Sequence, residues 1–292
     1  PAEGAIDPDM ARLFLVDFSL AETDIPATLE HRLQFTVPDP GGTGVVEQDY
    51  SAATVEVTRT LPTLRPPLAG KGWVAFNGCC GPGVHRATAL PVNGRLHYAQ
   101  RFAIDWMQLD GQGRLRDGPV DEVRSYTAYG AELLAVADGV VVSAVNDLPD
   151  QVPPRLPDPA TITLDNVDGN HVALDIGGGL FAFYAHMQPG SVRVREGQAV
   201  RAGEVLGLLG NSGNSSAPHL HFHLMDSTSV LGSEGLPYVL DGFALAGSIP
   251  ADAVPDDLAG DFRRYLDTSP QPRRGQFPLD MDVIDFTPAS SP

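Results

Sequence analysis

Positive charge is scarce in this chain of 292 residues: 19 lysines and arginines face 37 aspartates and glutamates, for a formal net charge of −18. Holding free nucleic acid takes a basic face that replaces phosphate counterions, so a nucleic-acid partner is excluded. Lys71 is the sole lysine. Cysteine is scarcer than in any disulfide-built domain: only Cys79 and Cys80, side by side. Such neighbours can close only a small-ring disulfide; a disulfide or inert thiols are favoured over zinc ligation. No stretch approaches the ~20 apolar residues that a membrane-spanning helix needs, so no integral span is expected. No signal peptide is visible at the start, which reads Pro1-Ala2-Glu3.

What is present is apolar residue in short pieces. The chain is 42% hydrophobic, with 31 glycines and 26 prolines between many brief Val- and Leu-rich runs. That pattern predicts a mainly β fold, an antiparallel sheet-and-hairpin core preceded by a small N-terminal β region. Three parts are expected: residues 1–66, 67–248 and a C-terminal extension, 249–292, packing on the core. In the first, alternation over residues 13–18, 33–37 and 54–57 predicts strands of a small sheet or half-sandwich; His31 there reads as a surface residue. In the second, Asn93-Gly94 is a strong hairpin signal, because a type I′ turn needs positive φ at both positions. Residues 133–142 read as strand, Asp138-Gly139 turn, strand. Residues 171–176 and 180–186 read as a hairpin around Gly177-Gly178-Gly179. Residues 107–128 and 145–160 are polar loops. Residues 260–268 are expected to hold one short helix and 283–286 a last strand.

The chemistry concentrates in Pro218-His219-Leu220-His221-Phe222-His223-Leu224. On a strand, alternate residues share a face, so three histidines line one side. Buried polar groups without partners cost ~1–3 kcal/mol each. A metal removes that cost, and neutral imidazole suits zinc. A catalytic zinc takes three protein ligands and keeps one position open. Candidates to complete the set are His186, Asp105, His85 and His97.

The ordered series Ala135-Val136-Ala137-Asp138-Gly139-Val140-Val141, Tyr184-Ala185-His186, Gly190-Ser191-Val192, Glu196-Gly197-Gln198-Ala199-Val200, Gly203, Gly207, Gly210-Asn211-Ser212-Gly213 and Pro218-His219-Leu220-His221-Phe222 resembles the lysostaphin-type zinc metallopeptidases. The resemblance covers about residues 71–226. It implies a zinc-dependent endopeptidase acting on peptide bonds, peptidoglycan cross-links or Gly/Ala-rich peptides, at an extracytoplasmic location. It makes His221 and Asp105 metal ligands and His219 and His186 catalytic histidines, with Zn2+ as cofactor and a peptide or peptidoglycan as substrate. His223 takes a position where the family often carries an acidic or polar residue; it is expected beside the site or exposed.

One ligand departs from the pattern. The family usually has a histidine four residues before the aspartate, where Arg101 stands here. His97 would lie about 26 Å from Asp105 on one extended strand, at ~3.3 Å per residue. His85 is favoured instead: if Asn93-Gly94 is a two-residue turn, the hairpin register carried back sets His85 opposite Phe102. His97 and His171 otherwise read as surface residues. The Gly210–Ser216 segment has no Walker lysine after it, so it reads as a turn shaping the cleft and not as a phosphate loop. Among rival readings, a catalytically silent member that binds cell wall or regulates a hydrolase draws on the missing histidine. A biotinyl or lipoyl carrier fails because Lys71 sits far from any matching hairpin tip. A purely structural β module leaves the histidines unexplained.

Overall fold

The computed structural model describes residues 16, 19–81 and 83–286. By its contacts the chain divides into two units, residues 1–61 and 62–292. In the first, Arg32–Pro38 pairs antiparallel with Val45–Ser51, and Thr28–Leu29 pairs with Val55–Glu56. The strand expected over 13–18 lies outside the described residues, Val16 apart. The described pairings are two-stranded ribbons and not a half-sandwich. Leu33, Phe35, Val46 and Tyr50 are exposed, because a single ribbon has no second layer to cover them.

The second unit is built on one eleven-stranded sheet. In chain order its strands are β1 (Gly70–Phe76), β2 (Ile104–Gln108), β3 (Gly139–Val145), β4 (Asn170–Asp175), β5 (Phe181–Met187), β6 (Ala199–Val200), β7 (Leu220–Met225), β8 (Gly235–Leu236), β9 (Phe243–Ser248), β10 (Leu266–Arg273) and β11 (Asp282–Phe286). Across the sheet they run β6-β3-β4-β5-β7-β2-β1-β11-β9-β10, and β8 pairs with the end of β7. The chain is thus mainly β and antiparallel. Turn chemistry explains the joins: Gly177, Gly178 and Gly179 all have positive φ between β4 and β5. Asn93 and Gly94, at φ 51° and 76°, turn the separate ribbon that pairs Val92 with Arg95.

Two local expectations are corrected. Glu132–Leu134 does not fold back on β3; it pairs with Val205–Leu208, while β3 pairs with β4 and β6. Long-range burial of Leu133 and Leu206 overrides the local Asp138-Gly139 turn. Residues 260–268 supply one 3-10 turn, Arg263–Tyr265, and then enter β10. The last strand falls where the Val283-Ile284-Asp285-Phe286 run predicts it. β10 and β11, within residues 266–286, are strands of the sheet itself.

Alternation on the central strands sorts side chains to two faces. Ile104, Trp106, Leu220, Phe222, Leu224 and Tyr184 join one large core, each buried to 1% exposure or less. Phe222 stacks edge-to-face on Tyr184 and Tyr238. Such a core holds the opposite face, with His221 and Asp105, in fixed register. Phe222→Ala is expected to lower the unfolding free energy by about 3–5 kcal/mol in urea titrations; a loss below about 1 kcal/mol would contradict this packing.

Candidate active site

Three adjacent strands bring the site together by register alone. Ala185 of β5 pairs with His221 of β7, and His221 pairs with Asp105 of β2. His221 and His223 share the face opposite the main core, and His219 lies just before β7 on the same alternation. On the far side of β2, Phe76 pairs with Asp105. The chain then passes Asn77, which has a positive φ of 56°, and the Cys79–Cys80 disulfide, reaching His85 on one helical turn, Val84–Ala87.

Asp105 is the hub, 9% exposed. Its Oδ1 lies 2.9 Å from His221 Nδ1 and 3.3 Å from His219 Nε2. Its Oδ2 lies 3.3 Å from His85 Nε2 and accepts a hydrogen bond from Asn77 Nδ2 at 2.8 Å. Backbone carbonyls, which can only accept, fix the protons of three rings. Nδ1–H of His85 donates to Ala103 O at 3.2 Å, that of His186 to Ser212 O at 2.8 Å, and that of His219 to Ala217 O at 2.7 Å. Each neutral ring therefore presents a bare Nε2.

The electrostatics follow from burial and from this crowding. Burial opposes charge on Asp105, but His85, His219 and the hydrogen bonds of His219 and His221 hold its carboxyl well below the usual range. Burial, then His219 and His221, pushes His186 well below the ordinary imidazole value. Burial likewise lowers His221. On His219 burial is outweighed by Asp105, and the ring is raised. At neutral pH His186 is thus a neutral acceptor, and His219 is the ring that most readily takes a proton.

Ligand atoms of His85, Asp105 and His221 lie within 4.8 Å of one another, and so do those of His186, His219 and His221. A bare nitrogen facing a carboxylate oxygen at 3.3 Å is favourable only with a proton or a cation between them. Two imidazoles and a carboxylate are a donor set that suits zinc, so the residues present fit a divalent metal. His97 belongs to neither group; its Nδ1 lies 3.1 Å from Glu234 Oε1. Arg101 is exposed, with its guanidinium over Phe102.

The Asn93-Gly94 hairpin register does not deliver His85. The Asn93-Gly94 ribbon ends at the Leu90–His97 pair, and His85 reaches the site from a helical turn anchored on Ala103. His223, expected beside the site or exposed, is fully buried: its Nδ1 lies 3.1 Å from His221 Nε2. His171, expected at the surface, is half-buried, with Nε2 2.9 Å from Ser143 Oγ. Asn77 carries no signal in the sequence, since the link to Asp105 exists only once β1 and β2 pair.

The Gly210–Ser216 turn holds two of the histidines. Ser212 O receives His186, and Ser215 Oγ lies 3.3 Å from His219 Nδ1. The turn is fastened in turn by Asp150, which accepts from Asn211 N at 2.8 Å and Tyr129 Oη at 2.6 Å. Gly213 has φ +76°, and a Cβ there would sit 2.3 Å from Gly169 N, so glycine is required. Residues 121–124 and 150–153, from the polar loops 107–128 and 145–160, line a cavity of about 310 Å³.

Residues 123–231 match Peptidase family M23. No curated protein matches the chain. Among solved structures, the catalytic domain of a mutant prophage-encoded M23 protein from Enterococcus faecalis is 20% identical, with TM-score 0.34, over 60% of this chain and 92% of that one. The catalytic domain of lysostaphin from Staphylococcus simulans is 22% identical, with TM-score 0.31, over 57% and 88%. The deep-sea M23 metalloprotease pseudoalterin is 13% identical, with TM-score 0.37, over 76% and 96%.

Asp168 lies behind His186, its backbone carbonyl accepting His186 N at 3.1 Å. Burial lifts its carboxyl from 3.8 to about 7. The folded state therefore holds this proton more tightly than the unfolded state, and stability falls as pH rises from about 4 through 7. Asp168→Asn removes that loss. Its melting temperature is expected to exceed that of the wild type by more at pH 8 than at pH 5; an equal difference at both pH values would contradict the assignment.

Proposed function

We propose that this chain, whose residues 123–231 match Peptidase family M23, is a zinc-dependent endopeptidase that hydrolyses peptidoglycan cross-links or Gly/Ala-rich peptides outside the cytoplasm. The observation that carries this reading is the convergence of His85 Nε2, Asp105 and His221 Nδ1 beside two further histidines with bare Nε2 atoms. The silent-member reading drew on Arg101; His85 Nε2, 3.3 Å from Asp105 Oδ2, supplies the nitrogen that Arg101 does not.

His85, Asp105 and His221 would hold the metal. Bound there, zinc supplies a Lewis acid that polarises the scissile carbonyl and lowers the pKa of a bound water to ~7. His219 is the general base. Its Nδ1–H is tied to Ala217, its Nε2 is bare, and Asp105 stabilises the imidazolium that forms when it takes the water proton. It then passes that proton to the leaving amine. His186, neutral and tied through Nδ1 to Ser212, accepts from the attacking water and orients it. This favours the orienting role over donation to the oxyanion, because its Nε2 carries no hydrogen.

Asn77 is a positioning residue: its amide holds Asp105 Oδ2 on the side of His85. The acidic surface suits an uncharged or cationic peptide better than an anionic polymer at low salt.

The test is zinc content by elemental analysis together with hydrolysis of peptidoglycan and short Gly/Ala peptides. The wild type is expected to bind one zinc per chain and cleave. His219→Ala should retain zinc and lose about 10²–10⁴-fold in rate. His221→Ala should lose the zinc and the activity together. Unchanged activity in either variant would sink the mechanism.

A further inference from the structure

His223 has no place among the ligands or the reacting groups. Yet it is fully buried, and one of its nitrogens is committed to the site. Its Nδ1 lies 3.1 Å from His221 Nε2, while its own Nε2 has no hydrogen-bond partner among the described residues. The rings meet edge-on, 5.2 Å between centroids and 81° between planes. A histidine that was merely filling space on this face could be replaced by the kind of side chain around it, Phe183, Ala185 and Met225. A polar ring with one orphaned nitrogen is a costly choice there unless the other nitrogen has a task.

Two proton patterns are open to the pair. In one, His223 Nδ1–H donates to His221 Nε2, which leaves the hydrogen of His221 on Nδ1, pointing at Asp105 Oδ1 2.9 Å away. That pattern blocks Nδ1 from holding a cation. In the other, His221 Nε2–H donates to His223 Nδ1, and His221 Nδ1 faces Asp105 with a bare lone pair. Only the second agrees with metal binding, and among the described residues His223 is the one recorded within hydrogen-bond distance of His221 Nε2 to accept that hydrogen. His223 is not itself counted a ligand, because its Nδ1 is turned to His221 and it joins neither group of converging ligand atoms.

We propose that His223 is a positioning residue that accepts the His221 Nε2–H and so sets the ring and tautomer of His221 for zinc through Nδ1. It does the work that a carboxylate or carbonyl does behind other metal-bound histidines. His85 has the equivalent partner in Ala103 O; His221, in mid-strand with strands on both sides, has no carbonyl recorded at its Nε2 and uses a side chain instead. The inference rests on the proposed zinc site.

The test compares zinc affinity of the full chain, by competition with a chromogenic chelator, for wild type, His223→Phe and His223→Gln. The melting temperature in chelator checks folding. Phe cannot accept a hydrogen bond; the Gln amide oxygen can. His223→Phe is expected to bind zinc about 10–100-fold more weakly with its melting temperature in chelator undiminished, and His223→Gln to recover most of the loss. Wild-type affinity in His223→Phe, or equal losses in both variants, would overturn the proposal. Should His223→Phe fail to fold, imidazole nitrogen NMR of the zinc-loaded wild type decides. Hydrogen on His221 Nε2 supports the proposal, and hydrogen on Nδ1 overturns it. A wild type that takes up no zinc overturns the functional reading and this inference together.

Discussion

The site depends on burying one carboxylate among imidazoles. Asp105 sits in mid-sheet, where a lone charge would be expelled by burial, and four side chains hold it there: His85, His219, His221 and Asn77. They arrive from two segments, one holding Asn77 and His85 and the other His219 and His221, and none can be removed without leaving the carboxylate under-satisfied in a low-dielectric interior. On the proposed reading the same carboxylate would draw a divalent cation to the bare nitrogens around it. A structural requirement and a chemical function thus share one group.

The sheet makes that concentration possible. Antiparallel pairing of β5, β7 and β2 sets Ala185, His221 and Asp105 in a row, and the aromatic core on the opposite face locks the register. A one-residue slip of β7 would turn His221 and His223 into the core and Phe222 onto the site. The loops then add what strands cannot: His186 at a strand end with positive φ, His219 before β7, and the carbonyls of Ser212 and Ala217 that fix their tautomers. Asp150, which also lines the adjoining cavity, fastens this turn together with Tyr129.

Much of this was legible in the sequence, for identifiable reasons. Period-two alternation marks the strands, and three histidines on one period mark the site, because both depend on the strand's own geometry. Positive-φ turn residues mark the β4–β5 hairpin. What failed depends on long-range pairing. Residues 132–134 read as one arm of a local Asp138-Gly139 hairpin yet pair with 205–208, and the short helix expected within 260–268 is one 3-10 turn before a strand that completes the sheet edge. His85 was chosen through a hairpin register that ends before reaching it; the helical turn that delivers it has no periodicity to read over four residues. Asn77 and Asp150 act through partners 28 and 61 residues away, and no local pattern records such links. His223 shared the pattern of its neighbours, but only burial and the contact with His221 separate its role from theirs.

The central claim is that His85, Asp105 and His221 form one cation site. Anomalous diffraction at the zinc edge, from crystals of the zinc-loaded full chain, tests it most directly. The account predicts a single strong peak within bonding distance of His85 Nε2, an Asp105 carboxylate oxygen and His221 Nδ1, with His97 outside its reach. A peak on His97, a peak held by His186, His219 and His221 without Asp105, or no peak at saturating zinc would contradict it.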